Sequence, residues 1–252
     1  MALQQFGNFY RALFMRSLLK ATFVATLAFA AHARAEVFTY EYTSVITKVE
    51  QYVRNTNGSL TGGDVGMSDW PGFAVAVGEK VRGRFSYDTE SQESVAGEYC
   101  CGYYTTLYVG AQNALTLTFE NSGYAYRSSK DLPVELATST YPAGGGSDAF
   151  GVWQWDYDGA NRRLVSITML DDTGTALPYR PDRMIPDSLA GFARGEFDYS
   201  IYSPDSSKMV FVSGALTSVR QVSPVPEPGT YAMLLAGLGL LGWQRKRSSR
   251  AQ

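Results

Sequence analysis

Trp153, Trp155 and Tyr157 lie two residues apart, so in a β-strand their side chains share one face and can form the flat aromatic platform on which sugar rings stack. Core filling accounts for the same spacing and is the expected reading, since aromatic runs in sheet strands usually face inward. Overlapping this run, Asp156, Asp158 and Asn161 offer oxygen side chains of the kind a hard cation such as calcium requires. The third acidic position and the distal glutamate of an EF-hand loop are missing. Asp158-Gly159 between two hydrophobic stretches is a hairpin signal, so a turn is expected there. Glu196 and Asp198 can project from one side of a strand as a glycosidase carboxylate pair does. Phe197 and Tyr199 alternate with them, which is also the pattern of an ordinary strand with a solvated face.

The two ends of the chain carry a different chemistry. Arg11, Arg16 and Lys20 precede an apolar stretch from Ala21 to Ala31, and Ala33-Arg34-Ala35 supplies small residues at the two positions a signal peptidase reads. Glu36 is therefore the expected first residue after cleavage, whether translation starts at Met1 or Met15. At the other end Val225-Pro226-Glu227-Pro228-Gly229 precedes an uncharged apolar run from Thr230 to Trp243, followed by Arg245, Lys246 and Arg247. The two prolines donate no backbone hydrogen bonds and hold their predecessors extended, leaving a strap that an enzyme can grip. The basic cluster favours retention on the cytoplasmic side. At about 1.5 Å per residue the apolar run spans roughly 21 Å against a hydrocarbon core of about 30 Å, a marginal anchor that suits a processed segment. Gly237-Leu238-Gly239-Leu240-Leu241-Gly242 has the letters of a dinucleotide-binding loop, but no strand precedes it, and small residues in a packing helix explain it. In its order of tripeptide, apolar helix and basic end, the tail resembles those of the PEP-CTERM proteins of Gram-negative bacteria. The resemblance implies recognition by the membrane transpeptidase-like enzyme exosortase.

Between these segments lies the exported region, residues 36–222. It holds 14 lysines and arginines against 23 aspartates and glutamates, a net charge of minus 9, whereas the whole chain stands at minus 2. Such an acidic domain repels nucleic acid and anionic head groups. The one histidine, His32, belongs to the signal segment. Its absence from the exported region removes Ser-His-Asp and Cys-His catalysis, most zinc sites and histidine acid-base chemistry. Cys100 and Cys101 are adjacent, with Cα atoms about 3.8 Å apart, below the usual disulfide minimum of about 4.4 Å. A strained vicinal bond in a turn flanked by Gly97 and Gly102 is favoured, with an intermolecular bond or metal capture as alternatives.

The elements that must position these residues read as strands. Phe38, Tyr40, Tyr42 and Ile46 alternate with polar neighbours, as do Val81, Phe85 and Tyr87, then Leu115, Leu117 and Phe119, then Val165, Ile167 and Met169. Turn residues separate them, among them Asn57-Gly58, Asn121-Ser122-Gly123, Asp158-Gly159 and Asp172-Thr173-Gly174. This predicts an all-β, antiparallel β-sandwich of about eight to ten strands, with an N-terminal signal helix and a short C-terminal transmembrane helix. The expected division is a signal peptide at 1–35, the sandwich at 36–222, and a sorting tail at 223–252 with its helix at 230–243 and basic end at 245–250. Two segments, Val81 to Asp88 and Phe211 to Val219, resemble passenger domains found before PEP-CTERM tails. The expected function is that of an exported envelope or matrix component, structural or binding rather than enzymatic and without cofactor, associated with exopolysaccharide or biofilm. Exosortase and signal peptidase are its processing partners, and the C-terminal helix is its transient link to the inner membrane. A carbohydrate-binding module and a histidine-free glycan hydrolase are the alternatives.

Overall fold

The computed structural model describes residues 37–70, 72–98, 104–140, 146–177 and 185–222. The signal segment with Ala33, Ala35 and Glu36, the pair Cys100 and Cys101, and the tail with Val225, Pro226, Glu227, Pro228, Arg245, Lys246 and Arg247 lie outside the described residues.

The described chain is all-β. Its strands are β1 (Val37–Arg54), β2 (Leu60–Asp64), β3 (Met67–Ser68), β4 (Val75–Ala76), β5 (Lys80–Asp88), β6 (Gln92–Glu98) and β7 (Tyr104–Val109). They continue with β8 (Ala114–Phe119), β9 (Ala125–Arg127), β10 (Glu135–Thr140), β11 (Asp148–Asp158), β12 (Asn161–Asp171), β13 (Arg194–Tyr202) and β14 (Lys208–Val222). The count of fourteen among the described residues exceeds the expected eight to ten. Strands β3, β4 and β9 are two or three residues long, and β2 reads Leu-Thr-Gly-Gly-Asp, so none of them carries a period-two signal.

What the sequence suggests as stacked sheets is one antiparallel sheet of twelve strands, in the order β6-β7-β10-β11-β12-β13-β14-β1-β5-β8-β9 with β2 beside β1. Strands β3 and β4 form a separate hairpin. The longest ladder joins β1 to β14, and its register slips between Thr43 and Ser44 and again between Ile46 and Lys48. Bulges of this kind bend a strand and raise its twist, which lets so wide a sheet curl. The curl brings its two halves face to face. Tyr87 on β5 meets Phe150 on β11 edge to face at 4.8 Å between ring centroids, and Phe119 on β8 meets Tyr199 on β13 at 5.6 Å.

The alternating residues of β1, β5, β8 and β12 that the sequence assigns inward are buried, including Phe38, Tyr42, Tyr87, Leu117 and Ile167. Close approach of β1 to β5 depends on Gly83, which lies opposite Tyr42. A Cβ there would stand 2.0 Å from the Thr116 carbonyl oxygen and 2.5 Å from the Tyr42 hydroxyl oxygen. Among the described residues no helix is long and apolar enough to cross a membrane.

Candidate functional site

Strand β11 inverts the expected pattern at its C-terminal half. Phe150 and Val152 point into the core, and so by parity do Gln154 and Asp156, all four buried. Trp153, Trp155 and Tyr157 therefore occupy the outer face, half-buried in the case of the tryptophans and 64% exposed for Tyr157. The core-filling expectation for these three is corrected by this parity. Alternation fixes only that they share a face, and the buried polar residues between them decide which face it is.

The inward polar residues are retained by a dense set of partners. Gln154 accepts from the Tyr126 hydroxyl at 2.7 Å and the Ser129 amide at 2.9 Å, and donates to the carbonyls of Ser129 at 3.1 Å and Leu132 at 2.6 Å. Asp156 is gripped bidentately by Arg163, with Nε donating to Oδ1 at 2.7 Å and Nη2 to Oδ2 at 2.8 Å. Arg163 also donates to the Tyr124 hydroxyl, approaches Asp158 Oδ2 at 3.4 Å, and sits 4.6 Å from the centre of the Tyr126 ring. Burial opposes the guanidinium charge, but the hydrogen bond and charge of Asp156 outweigh it and hold Arg163 protonated. These contacts tie β9 and the chain on either side of it to β11 and β12. They also engage both carboxylates that the spacing offers to calcium. Asn161 is the partner of Asp158 in the β11–β12 register, and Gly159 takes a φ of 61° in the two-residue turn between them, as a type II′ hairpin requires. No group of three or more His, Cys, Asp or Glu suited to a metal occurs among the described residues.

On the outer face Trp155 belongs to a larger aromatic row. The Trp155 ring lies 5.8 Å from Tyr202 on β13, Tyr202 lies 5.6 Å from Phe211 on β14, and Phe211 lies 5.9 Å from Tyr52 on β1. Arg162 stacks its guanidinium 3.8 Å from the centre of the Trp155 ring, a cation–π contact that fixes the indole. Beside Trp153, small outward residues including Ala137, Ser139, Gly151 and Ser166 leave a shallow groove of about 240 Å³. Polar groups border the row. Tyr52 donates to Glu50 at 2.8 Å, Lys48 pairs with Glu50 at 2.8 Å, and Ser213 donates to Asp198 at 2.7 Å.

Asp198 and Glu196 both face outward on β13, with Asp198 half-buried and Glu196 exposed. Burial pushes the Asp198 carboxyl above its ordinary range despite the Ser213 hydrogen bond. Glu196 pairs instead with Arg194, which also reaches Asp172 at 3.2 Å. The two carboxylates thus have separate partners. Asp171 closes the following turn, accepting from the amides of Thr173, Thr175 and Ala176 at 3.0, 2.8 and 3.0 Å.

Tyr52, Arg162, Tyr202 and Phe211 escape the sequence reading because each is judged alone. Their signal is parity: Tyr202 and Phe211 adjoin the buried positions Ile201, Val210 and Val212, so an aromatic falls on the strand face opposite the core.

Comparison with known proteins adds information at the C-terminus. No curated protein and no solved structure matches the chain. Residues 224–248 match the family model of the PEP-CTERM protein-sorting motif, as the Pro-Glu-Pro strap, apolar run and basic cluster lead one to expect. The chain thus carries a PEP-CTERM tail, the mark of an exported, surface-sorted protein that exosortase processes.

Proposed function

We propose that this protein is a surface or matrix component that holds extracellular polysaccharide on the outer aromatic face of its sheet and does not turn it over. The observation that carries the reading is the inversion in β11, where Trp153, Trp155 and Tyr157 face outward while Gln154 and Asp156 are buried. Burying polar groups and exposing aromatics runs against folding stability, and such local conflicts cluster where a surface has a task. Aromatic rings offer an apolar face to the C–H face of a sugar, while neighbouring carboxylates, hydroxyls and a guanidinium serve its hydroxyl groups. Successive outward rings on one strand stand about 6.8 Å apart, so the three of β11 cover about 14 Å of an extended chain.

In this reading signal peptidase releases the chain after Ala35, and residues 230–243 hold it briefly in the inner membrane, with Arg245, Lys246 and Arg247 on the cytoplasmic side. Exosortase then acts at the strap around Pro226-Glu227-Pro228. The test is retention of the purified protein on the producer's own exopolysaccharide. Trp153→Ala combined with Trp155→Ala is expected to abolish retention while leaving the melting temperature within a few degrees, because both side chains lie outside the core. Retention by a folded double variant rejects the platform. Release of reducing ends that Glu196→Gln abolishes would replace binding with a histidine-free glycan hydrolase.

A further inference from the structure

A second outer surface, far from the aromatic row, has the opposite character. Nine residue steps along β14 separate Phe211 from Arg220, about 30 Å at about 3.4 Å each. There β14, β1, β5, β8 and β9 run side by side, and their register places Arg220, Glu41, Arg84, Thr116 and Arg127 on one line across five strands. The next line holds Ser218, Thr43, Arg82 and Thr118. All these side chains point outward, because their neighbours Tyr40, Tyr42, Phe85, Leu117 and Tyr126 face the core.

The charge of this face departs from that of the domain. Within an exported region of net charge minus 9, four arginines stand here against two carboxylates, Glu41 and Glu120. The arginine side chains at 82, 84 and 220 are 66%, 64% and 78% exposed. Arg127 is also exposed and makes no ion pair among the described residues. Glu41 shows how the face handles a carboxylate: Arg84 Nε donates to its Oε1 at 3.0 Å and Arg220 Nη2 to its Oε2 at 2.6 Å. These two bonds, that from Arg220 foremost, hold the Glu41 carboxyl below its ordinary range. Each guanidinium has five donors, so capacity remains after Glu41 is served. A depression of about 560 Å³ lies over these residues, bordered by Thr43, Thr116 and Ser218.

We propose that this stripe binds an extracellular polysaccharide that bears carboxylate groups, with the arginines taking its carboxylates and the threonine and serine hydroxyls meeting its sugar hydroxyls. Two arguments select this partner. Guanidinium forks match carboxylates geometrically and bind them by charge-assisted hydrogen bonds. Arg220, Arg84 and Arg127 recur at every second strand, about 9.6 Å apart from an interstrand spacing of about 4.8 Å. That spacing suits a polymer with carboxylates set well apart along its length. Duplex DNA carries a charge per about 1.7 Å, which three widely spaced arginines on an acidic domain do not neutralise. The site is independent of the aromatic face and stands or falls separately.

The experiment measures binding of the full protein to polygalacturonate and to the same polymer with its carboxyls methyl-esterified. Binding to the acid form is expected, with loss on esterification and weakening as salt rises from about 50 to about 200 mM. Joint replacement Arg84→Gln, Arg127→Gln and Arg220→Gln is expected to lower affinity by about tenfold or more, since hydrogen bonds to charged groups are lost. Because that variant strips Glu41 of its partners, Arg127→Gln alone serves as the second variant. It is expected to weaken binding by about threefold with an unchanged melting temperature. Equal binding of the esterified polymer overturns the proposal. So does undiminished affinity of both variants, or tighter binding to single-stranded DNA or to phosphatidylglycerol vesicles than to the uronate.

Discussion

Replacing Arg163 with methionine is the sharpest perturbation of the fold that the structure offers. The guanidinium is nearly enclosed, with its side chain 10% exposed and that of Asp156 6% exposed. Methionine removes both bonds to Asp156, the bond to Tyr124 and the stacking on Tyr126. A buried carboxylate is left with no cation. Breaking one partner of such a pair costs about 3–5 kcal/mol, whereas replacing both partners with apolar residues is often neutral. For a domain of this size 1 kcal/mol moves the melting temperature by about 2–4 °C, so the expected fall is about 6–20 °C. Circular dichroism melts of the purified protein at pH 7 read it directly. The double variant Arg163→Met with Asp156→Leu is expected to recover most of the loss. Its excess over the sum of the single effects is the coupling energy. A fall of less than about 3 °C, or a double variant no more stable than Arg163→Met, would falsify the view that this buried, mutually satisfied pair stabilises the fold.

Other expectations follow from single positions. Gly83→Ala drives a methyl group into the Thr116 carbonyl and the Tyr42 ring and is expected to cost about 1–3 kcal/mol or more, measured by urea unfolding. Gly97→Ala, with nothing within 4 Å of its Cβ, is the control and should stay near parent stability. Asp198 has its pKa raised by burial, so the stability of its neutral form is present below the unfolded pKa and lost as pH rises through the folded one. Asp198→Asn is therefore expected to raise the melting temperature at pH 7 and to leave it unchanged near pH 3. Equal shifts at both pH values refute the assignment. Replacing Pro226, Glu227 and Pro228 with alanines is expected to leave the C-terminal mass unprocessed in the native host and to alter localisation. A processed mass identical to that of the parent contradicts the role of the strap.

Much of the fold is legible without coordinates. The strands β1, β5, β8 and β12 follow from alternation, because a half-buried strand must place its apolar residues with period two. The hairpin at Gly159 follows from turn chemistry. The candidate surface was less legible. In β11 the residues Trp153, Gln154, Trp155 and Asp156 alternate cleanly, yet hydrophobicity points the wrong face inward. Their orientation depends on Arg163, Tyr126 and Ser129, which reach Gln154 and Asp156 from elsewhere. The arginine stripe was equally hidden, since Arg84, Arg127 and Arg220 lie in three strands distant in sequence.

By itself, then, the sequence determined the destination and the class of fold. A sorting tail is a linear signal read by an enzyme in an extended chain, so Pro226-Glu227-Pro228 needs no tertiary context, and alternation and turn residues are likewise local. Only the tertiary structure decided which faces look outward and which distant side chains meet. Those are properties of register between strands, set by bulges, by buried polar partners and by the curl of one sheet upon itself. The aromatic row from Trp155 to Tyr52 and the stripe from Arg220 to Arg127 exist only because antiparallel pairing lays separate strands side by side.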